Sequence, residues 1–201
     1  MKIFLASGNV HKAAEFQTLA DASGLPLQIF PASAVGGMPP VVEDAGTFEG
    51  NARKKARALH ARLPAGAWVL ADDSGLCVDA LGGAPGVESA YYAGPQGDSA
   101  ANLRKLVAAM HDVPETARRA QFMCVLLLAG PGAAEHVFTG RCEGRLLREP
   151  CGDGGFGYDP LFVPDGYTES FAALGETVKN SLSHRGRAWA QLASWFEGQW
   201  R

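Results

Sequence analysis

A chain of 201 residues, 47% hydrophobic and 19% charged, has material for one compact α/β domain with a sizeable core and needs no covalent staples. Its 18 basic residues against 21 acidic ones leave a net charge of −3, which offers no field to a polyanion such as a nucleic acid; a small anionic ligand would need a local basic cluster. Cys77, Cys124, Cys142 and Cys151 are widely spaced without a C-x-x-C pair, a pattern that fits neither a disulfide framework nor a tetrahedral zinc site.

Residues 2–6 read as a short buried strand, followed after a tight turn by a helix over about 9–22 whose Ala13, Phe16, Leu19 and Ala20 share a face. A second strand near 27–30 leads through the Gly- and Pro-rich loop 33–40 to a helix from about Thr47, with Ala52, Ala56, Leu59 and Leu63 as its stripe. Residues 68–71 form a buried strand expected to end at Asp72-Asp73-Ser74-Gly75, so that the acidic pair stands where a core strand stops. Apolar character resumes at 76–78, before the turn-rich segment 81–94. Asp98 suits the N-cap of a helix carrying Leu103, Leu106, Val107 and Met110, and residues 121–128 and 135–147 read as a long hairpin around Gly130-Pro131-Gly132.

The apolar run 122–129 is far shorter than a bilayer span, and the N-terminal run 3–6 is too short for a signal peptide, so the expectation is a soluble cytoplasmic protein with no membrane partner. The glycine-rich loop 152–157 precedes a short strand at 161–163, and Ser183 can cap a last helix with Ala188, Leu192, Trp195 and Phe196 on one side. The elements add up to a single domain over residues 1–201, α/β in class. Its mixed β-sheet has flanking helices and is partly split into two lobes by the hairpin region.

Three places carry chemistry. Ser7-Gly8-Asn9-Val10-His11-Lys12 lies where the first strand hands over to the first helix, so that backbone N–H groups, the helix dipole and a lysine can converge on a phosphate; the same residues also read as an ordinary turn with Asn9 as N-cap. Asp72 and Asp73, with Glu43 and Asp44 from the loop before the second helix, offer three or four carboxylates to a hard cation, Mg²⁺ being the expected one. Neighbours in an extended strand point to opposite sides, so Asp72 and Asp73 should not share a role. An Asx-turn after a strand is the plainer alternative for D-D-S-G. Gly154-Gly155-Phe156-Gly157-Tyr158-Asp159-Pro160 sets aromatic rings among glycines, as a nucleobase site requires, although such rings also plug cores. Nothing resembles G-x-S-x-G, and His60, His111 and His136 lack metal-ligand spacing.

S-G-N-V-H-K at 7–12, T-F-E-G-N-A at 47–52, A-D-D-S-G-L at 71–76, G-A-P-G-V-E-S-A at 83–90, G-G-F-G-Y-D-P at 154–160 and S-H-R-G at 183–186 together resemble the inosine triphosphate pyrophosphatase family, over essentially the whole chain. The resemblance implies an inosine triphosphatase-like fold, a homodimer, and hydrolysis of ITP, dITP or XTP at the α–β phosphoanhydride to the monophosphate and pyrophosphate. It further implies that Ser7, Gly8, Asn9, Val10, His11, Lys12 and Lys55 hold the triphosphate and that Glu43 and Asp73 bind Mg²⁺. Asp73 would also take the proton of the attacking, magnesium-held water, with Ser74 touching substrate beside it. Phe156, Gly157, Tyr158, Asp159, Lys179, His184 and Arg185 would form the nucleoside pocket, Phe156 stacking on the base and the cationic donors facing the purine O6. Two positions depart from the family pattern: Tyr91, where an arginine is common, and Ser7 in place of threonine, which keeps the hydroxyl.

Overall fold

The computed structural model describes residues 1–199; the side chains of Val10, Ala133 and Glu176 lie outside the description. Strands β1 (Lys2–Leu5), β2 (Gln28–Pro31), β3 (Trp68–Val78), β4 (Arg119–Ala129), β5 (Glu135–Leu146) and β6 (Phe162–Pro164) form a six-stranded sheet in the order β2-β1-β3-β4-β5-β6. β1 runs parallel to both β2 (Ile3 opposite Ile29) and β3 (Phe4 opposite Val69), while β5 and β6 are antiparallel, with Arg145 opposite Val163. The sheet is therefore mixed, as expected. The neighbours β4 and β5 are joined by residues 130–134, closed by a 2.9 Å bond from the Gly130 N–H to the Ala134 carbonyl, and so short a connection suits only an antiparallel return.

The helices are α1 (Val10–Ala22), α2 (Phe48–His60), α3 (Ser99–Ala109), α4 (Phe171–Leu174), α5 (Glu176–Leu182) and α6 (His184–Gln199). The first three start at side-chain caps. Asn9 accepts from the His11 N–H, Thr47 from the Gly50 N–H and Asp98 from those of Ala100 and Ala101, each satisfying donors that the first helical turn leaves unpaired.

The chain forms two compact units, divided inside β3, β4 and β5: Met1–Asp73, Cys124–Gly140 and the chain from Gly186 on make the first, Ser74–Met123 and Arg141–Arg185 the second. In the first unit β1, β3 and β4 are covered on both faces, which is why they read as near-continuous apolar runs. On one face Ile3, Leu5, Leu70, Leu126 and Leu128 pack with Phe16 and Leu19 of α1 and Trp189, Leu192 and Phe196 of α6. On the other, Ala6, Val69, Ala71, Val125 and Leu127 pack with Ala52, Ala56 and Leu59 of α2. Fully buried leucines such as Leu59 and Leu192 stabilise the unit by about 1.5–3 kcal/mol each.

The two-residue period of β3 fixes the direction of its acidic pair. Asp72 follows Leu70 toward the α1 face, and Asp73 follows Val69 and Ala71 toward the α2 face. The strand does not stop at Ala71, as its sequence suggests; it runs unbroken through Asp72, Asp73, Ser74 and Gly75 to Val78, with both aspartates buried. Each carboxylate has a lysine partner, so neither needs the solvent that a turn would provide.

In the second unit Leu76, Val78, Leu106, Met110, Phe122, Tyr158, Phe162 and Phe171 form the core. Gly144 of β5 must be glycine, because a Cβ there would stand 2.2 Å from the Val163 carbonyl oxygen across the strand pair. Arg118, only 1% exposed, donates to four carbonyls: Nε to Leu146 at 3.0 Å, Nη1 to Met110 at 2.7 Å and Val113 at 3.2 Å, and Nη2 to Leu147 at 2.7 Å. It ties the end of α3 to the end of β5. Arg118→Met keeps the apolar stem and strands those carbonyls, so we expect a loss of about 3 kcal/mol and a Tm lower by roughly 6–12 °C in a thermal melt. A melt within two degrees of the parent would contradict that role.

Candidate active site

In the first unit the chain leaves β1 at Ala6 and enters α1 through Ser7, Gly8 and Asn9. Ser7 Oγ accepts from the Asn9 N–H at 3.1 Å and Asn9 Oδ1 from the His11 N–H at 2.9 Å, so this stretch is a capped turn at the amino end of a thirteen-residue helix. Gly8, Asn9 and His11 are exposed and Ser7 half-buried; the side chain of Val10 lies outside the described residues. Lys12, on the first turn of α1, reaches Asp72 Oδ2 at 2.9 Å, and the thiol of Cys124 donates to Asp72 Oδ1 at 3.5 Å.

On the opposite face of β3, Lys55 of α2 donates to Asp73 Oδ1 at 2.5 Å and to Glu43 Oε2 at 2.9 Å, bridging the two carboxylates. Burial opposes the charge on Lys55, yet Asp73 and Glu43 outweigh it and hold its pKa above the ordinary lysine value. Burial likewise pushes the Asp73 carboxyl up, to about 6; Glu43 adds to the rise, while Lys55 and Lys12 work against it. Asp44 turns away to an exposed pair with Lys54 and does not join the cluster. The acidic site thus has Glu43 and Asp73 on one face of β3 and Asp72 on the other.

Among the described residues no three His, Cys, Asp or Glu side chains gather into a metal cage. Mg²⁺ does not require one, since it is commonly held by one or two carboxylates with water and substrate phosphate at the remaining positions. Asp73 Oδ2 is a buried oxygen without a hydrogen-bond partner, which is the kind of atom a divalent cation would satisfy. Glu43 and Asp73 therefore fit the ion that the resemblance implies.

The second unit carries the other set. Asp159, 3% exposed, accepts at Oδ2 from Lys179 Nζ and from the Phe156 N–H, both at 2.7 Å. Gly155 has φ +71°, and a Cβ there would lie 2.3 Å from Asp159 Oδ2, so only glycine lets the loop close on that carboxylate. Lys179 Nζ stands 4.5 Å and Arg185 Cζ 5.2 Å from the centroid of the Phe156 ring, within cation–π range. His184 stacks on Phe122 at 4.8 Å with an interplanar angle of 11°. Tyr158 is a core residue whose hydroxyl donates to the Ser89 carbonyl at 2.8 Å, and Gly157 is half-buried beside it. Ser74, half-buried on β3, also belongs to this unit.

Some residues escaped the sequence reading. Asn51 sits on the buried stripe of α2 that also carries Lys55, and a polar group on an apolar helical face was the available signal. Ser89 Oγ accepts from the Leu76 N–H at 2.9 Å, and Asn102 Nδ2 donates to the Ala90 carbonyl at 2.9 Å, fastening the 86–93 segment on which Tyr158 rests. Their partners are distant in sequence, and no local pattern points to them.

The family model described as the Ham1 family matches residues 3–195. A dITP/XTP pyrophosphatase of Opitutus terrae is 64% identical over 199 residues, covering 97% of this chain and 98% of its own. A dITP/XTP pyrophosphatase of Shouchella clausii is 42% identical, with 99% and 98% covered. The solved structure of a HAM1 protein from Coxiella burnetii superposes with a TM-score of 0.87 at 36% identity, over 98% of this chain and 99% of that one. The kinship read from six short motifs is borne out at full length, and the chain belongs to the Ham1 family.

Proposed function

We propose that this protein hydrolyses deaminated purine nucleoside triphosphates (ITP, dITP and XTP) to the monophosphate and pyrophosphate, removing them from the nucleotide pool. The relatives named dITP/XTP pyrophosphatase support the substrate class. The observation that carries the chemistry is Asp73, a buried carboxylate with one oxygen held by Lys55 and the other without a partner. In this reading residues 1–201 work as one nucleotide pyrophosphatase domain, as a homodimer, in the cytoplasm, without nucleic acid or membrane. None of the helices among the described residues is long and apolar enough to cross a bilayer.

The residues divide the work. Lys12, Lys55 and the N–H groups at the start of α1 bind and orient the triphosphate, neutralising charge that grows as the anhydride breaks. Glu43 and Asp73 would hold Mg²⁺, which when bound supplies Lewis acidity toward the phosphates. Asp73 accepts the proton of the attacking water, and Ser74 contacts substrate next to it. Phe156 stacks on the purine while Lys179, His184 and Arg185 present donors to O6, within a loop shaped by Gly157, Tyr158 and Asp159. No covalent intermediate is required. The test is hydrolysis of a panel of nucleoside triphosphates with Mg²⁺ and identification of the products: pyrophosphate from ITP and XTP is expected, whereas orthophosphate release, or ligand binding without turnover, would overturn the reading.

A proton acceptor works only without its own proton. With the Asp73 carboxyl at about 6, kcat/KM should fall below roughly pH 6, approaching tenfold per pH unit. Rising Mg²⁺ should move that limb to lower pH, because cation and proton compete for the same oxygens. A flat profile from pH 5 to 7.5 at low Mg²⁺ would remove Asp73 from proton transfer.

A further inference from the structure

The acidic loop before α2 is fastened to that helix at several points, the Asp44–Lys54 pair among them. Lys54 Nζ donates to the Val42 carbonyl at 3.2 Å, Lys55 to Glu43 at 2.9 Å, and the Ala45 N–H donates to Asn51 Oδ1 at 3.1 Å. Asn51 is fully buried, on the α2 face that also carries Lys55 one turn later. Gly50, next to it, leaves room for the loop: a Cβ there would lie 2.5 Å from Ala45 Cβ. The amide of Asn51 is oriented by that single bond, because Nδ2 is buried and has no hydrogen-bond partner. Leucine, with similar volume, would avoid the unpaired donor, so the polarity of this side chain serves the loop and not the packing of the helix.

We infer that Asn51 is a positioning residue for Glu43: by holding the Ala45 N–H it sets where the Glu43 carboxylate stands beside Lys55 and Asp73, and hence how well the pair binds a divalent cation. This rests on the assignment of Glu43 as a metal ligand made above. Groups that orient a ligating carboxylate without touching the ion commonly change metal affinity by about 10–100-fold when lost.

The experiment is Mn²⁺ binding to the full-length protein, read from the free-ion EPR signal, for the parent, Asn51→Leu, Gly50→Ala and Glu43→Gln, with a thermal melt of each. Asn51→Leu is expected to melt within a few degrees of the parent yet bind Mn²⁺ about tenfold or more weakly. Gly50→Ala, which displaces the same loop through Ala45 and leaves the Asn51 amide in place, is expected to weaken binding too, and it decides the matter if Asn51→Leu does not fold. Parent-like Mn²⁺ affinity in the folded Asn51 variant, or failing that in Gly50→Ala, would overturn the inference while a weakened Glu43→Gln left the metal assignment standing. Unchanged affinity in Glu43→Gln would overturn the assignment and the inference with it.

Discussion

Asp73→Asn should fold and melt close to the parent and lose about 10³-fold or more in kcat with ITP. The amide keeps the shape of the side chain on β3 and can still accept from Lys55, but it has no charge to balance a cation and no basicity to take a proton. General-base catalysis alone is worth about 10²–10⁴-fold, and weakened metal binding adds to the loss. The fold tolerates the change because burial already opposes ionisation of this carboxyl, holding it at about 6. Asp72→Asn provides the contrast: that carboxylate is paired with Lys12 on the other face of the strand, so its loss should act through the lysine and show mainly in KM. The measurements are steady-state kinetics and a melt for each variant. A folded Asp73→Asn enzyme with kcat within tenfold of the parent would exclude Asp73 as the proton acceptor.

The second large effect is on base selectivity. Lys179 and Arg185 carry their charges within 4.5 and 5.2 Å of the Phe156 ring centroid, and Lys179 is held there by Asp159. A purine stacked on Phe156 would meet these donors. Hypoxanthine and xanthine present an O6 acceptor, whereas adenine presents an amino donor that would face these cationic donors. A site built around such a bond can discriminate by about 10⁴–10⁵ in kcat/KM, so ATP is expected to be a poor substrate by that order. Arg185→Ala should lower the ITP-to-ATP ratio by at least about tenfold, chiefly through loss of ITP turnover. An unchanged ratio would remove Arg185 from base reading, and comparable parent values for the two nucleotides would dismiss the selective enzyme altogether.

Much of this was legible in the sequence because it depends on short-range physics. Asn9, Thr47 and Asp98 cap helices whose starts they mark, since a side-chain oxygen two or three residues ahead of a free N–H needs no distant partner. Strands covered on both faces announce themselves as apolar runs, and Gly155 marks a loop that no Cβ could enter. The linear order of weak motifs was enough to place the chain in its family.

What only the tertiary structure decided concerns groups whose energetics depend on partners far along the chain. An acidic pair after four apolar residues looks like the end of a strand, because a buried unpaired carboxylate is prohibitive. With Lys12 and Lys55 supplied by two different helices, β3 instead continues through the aspartates and sorts them to opposite faces. Asp44, equal to Glu43 in the sequence, is drawn off by Lys54, and Tyr158, a candidate for stacking, is anchored in a core through Ser89. Helices α4 and α5 are too short to show a periodicity, yet α5 delivers Lys179 to Asp159. Sequence determined which residue types were available and where the elements begin; the ion pairs, formed across 18 and 60 residues of chain, decided which of those residues make a site.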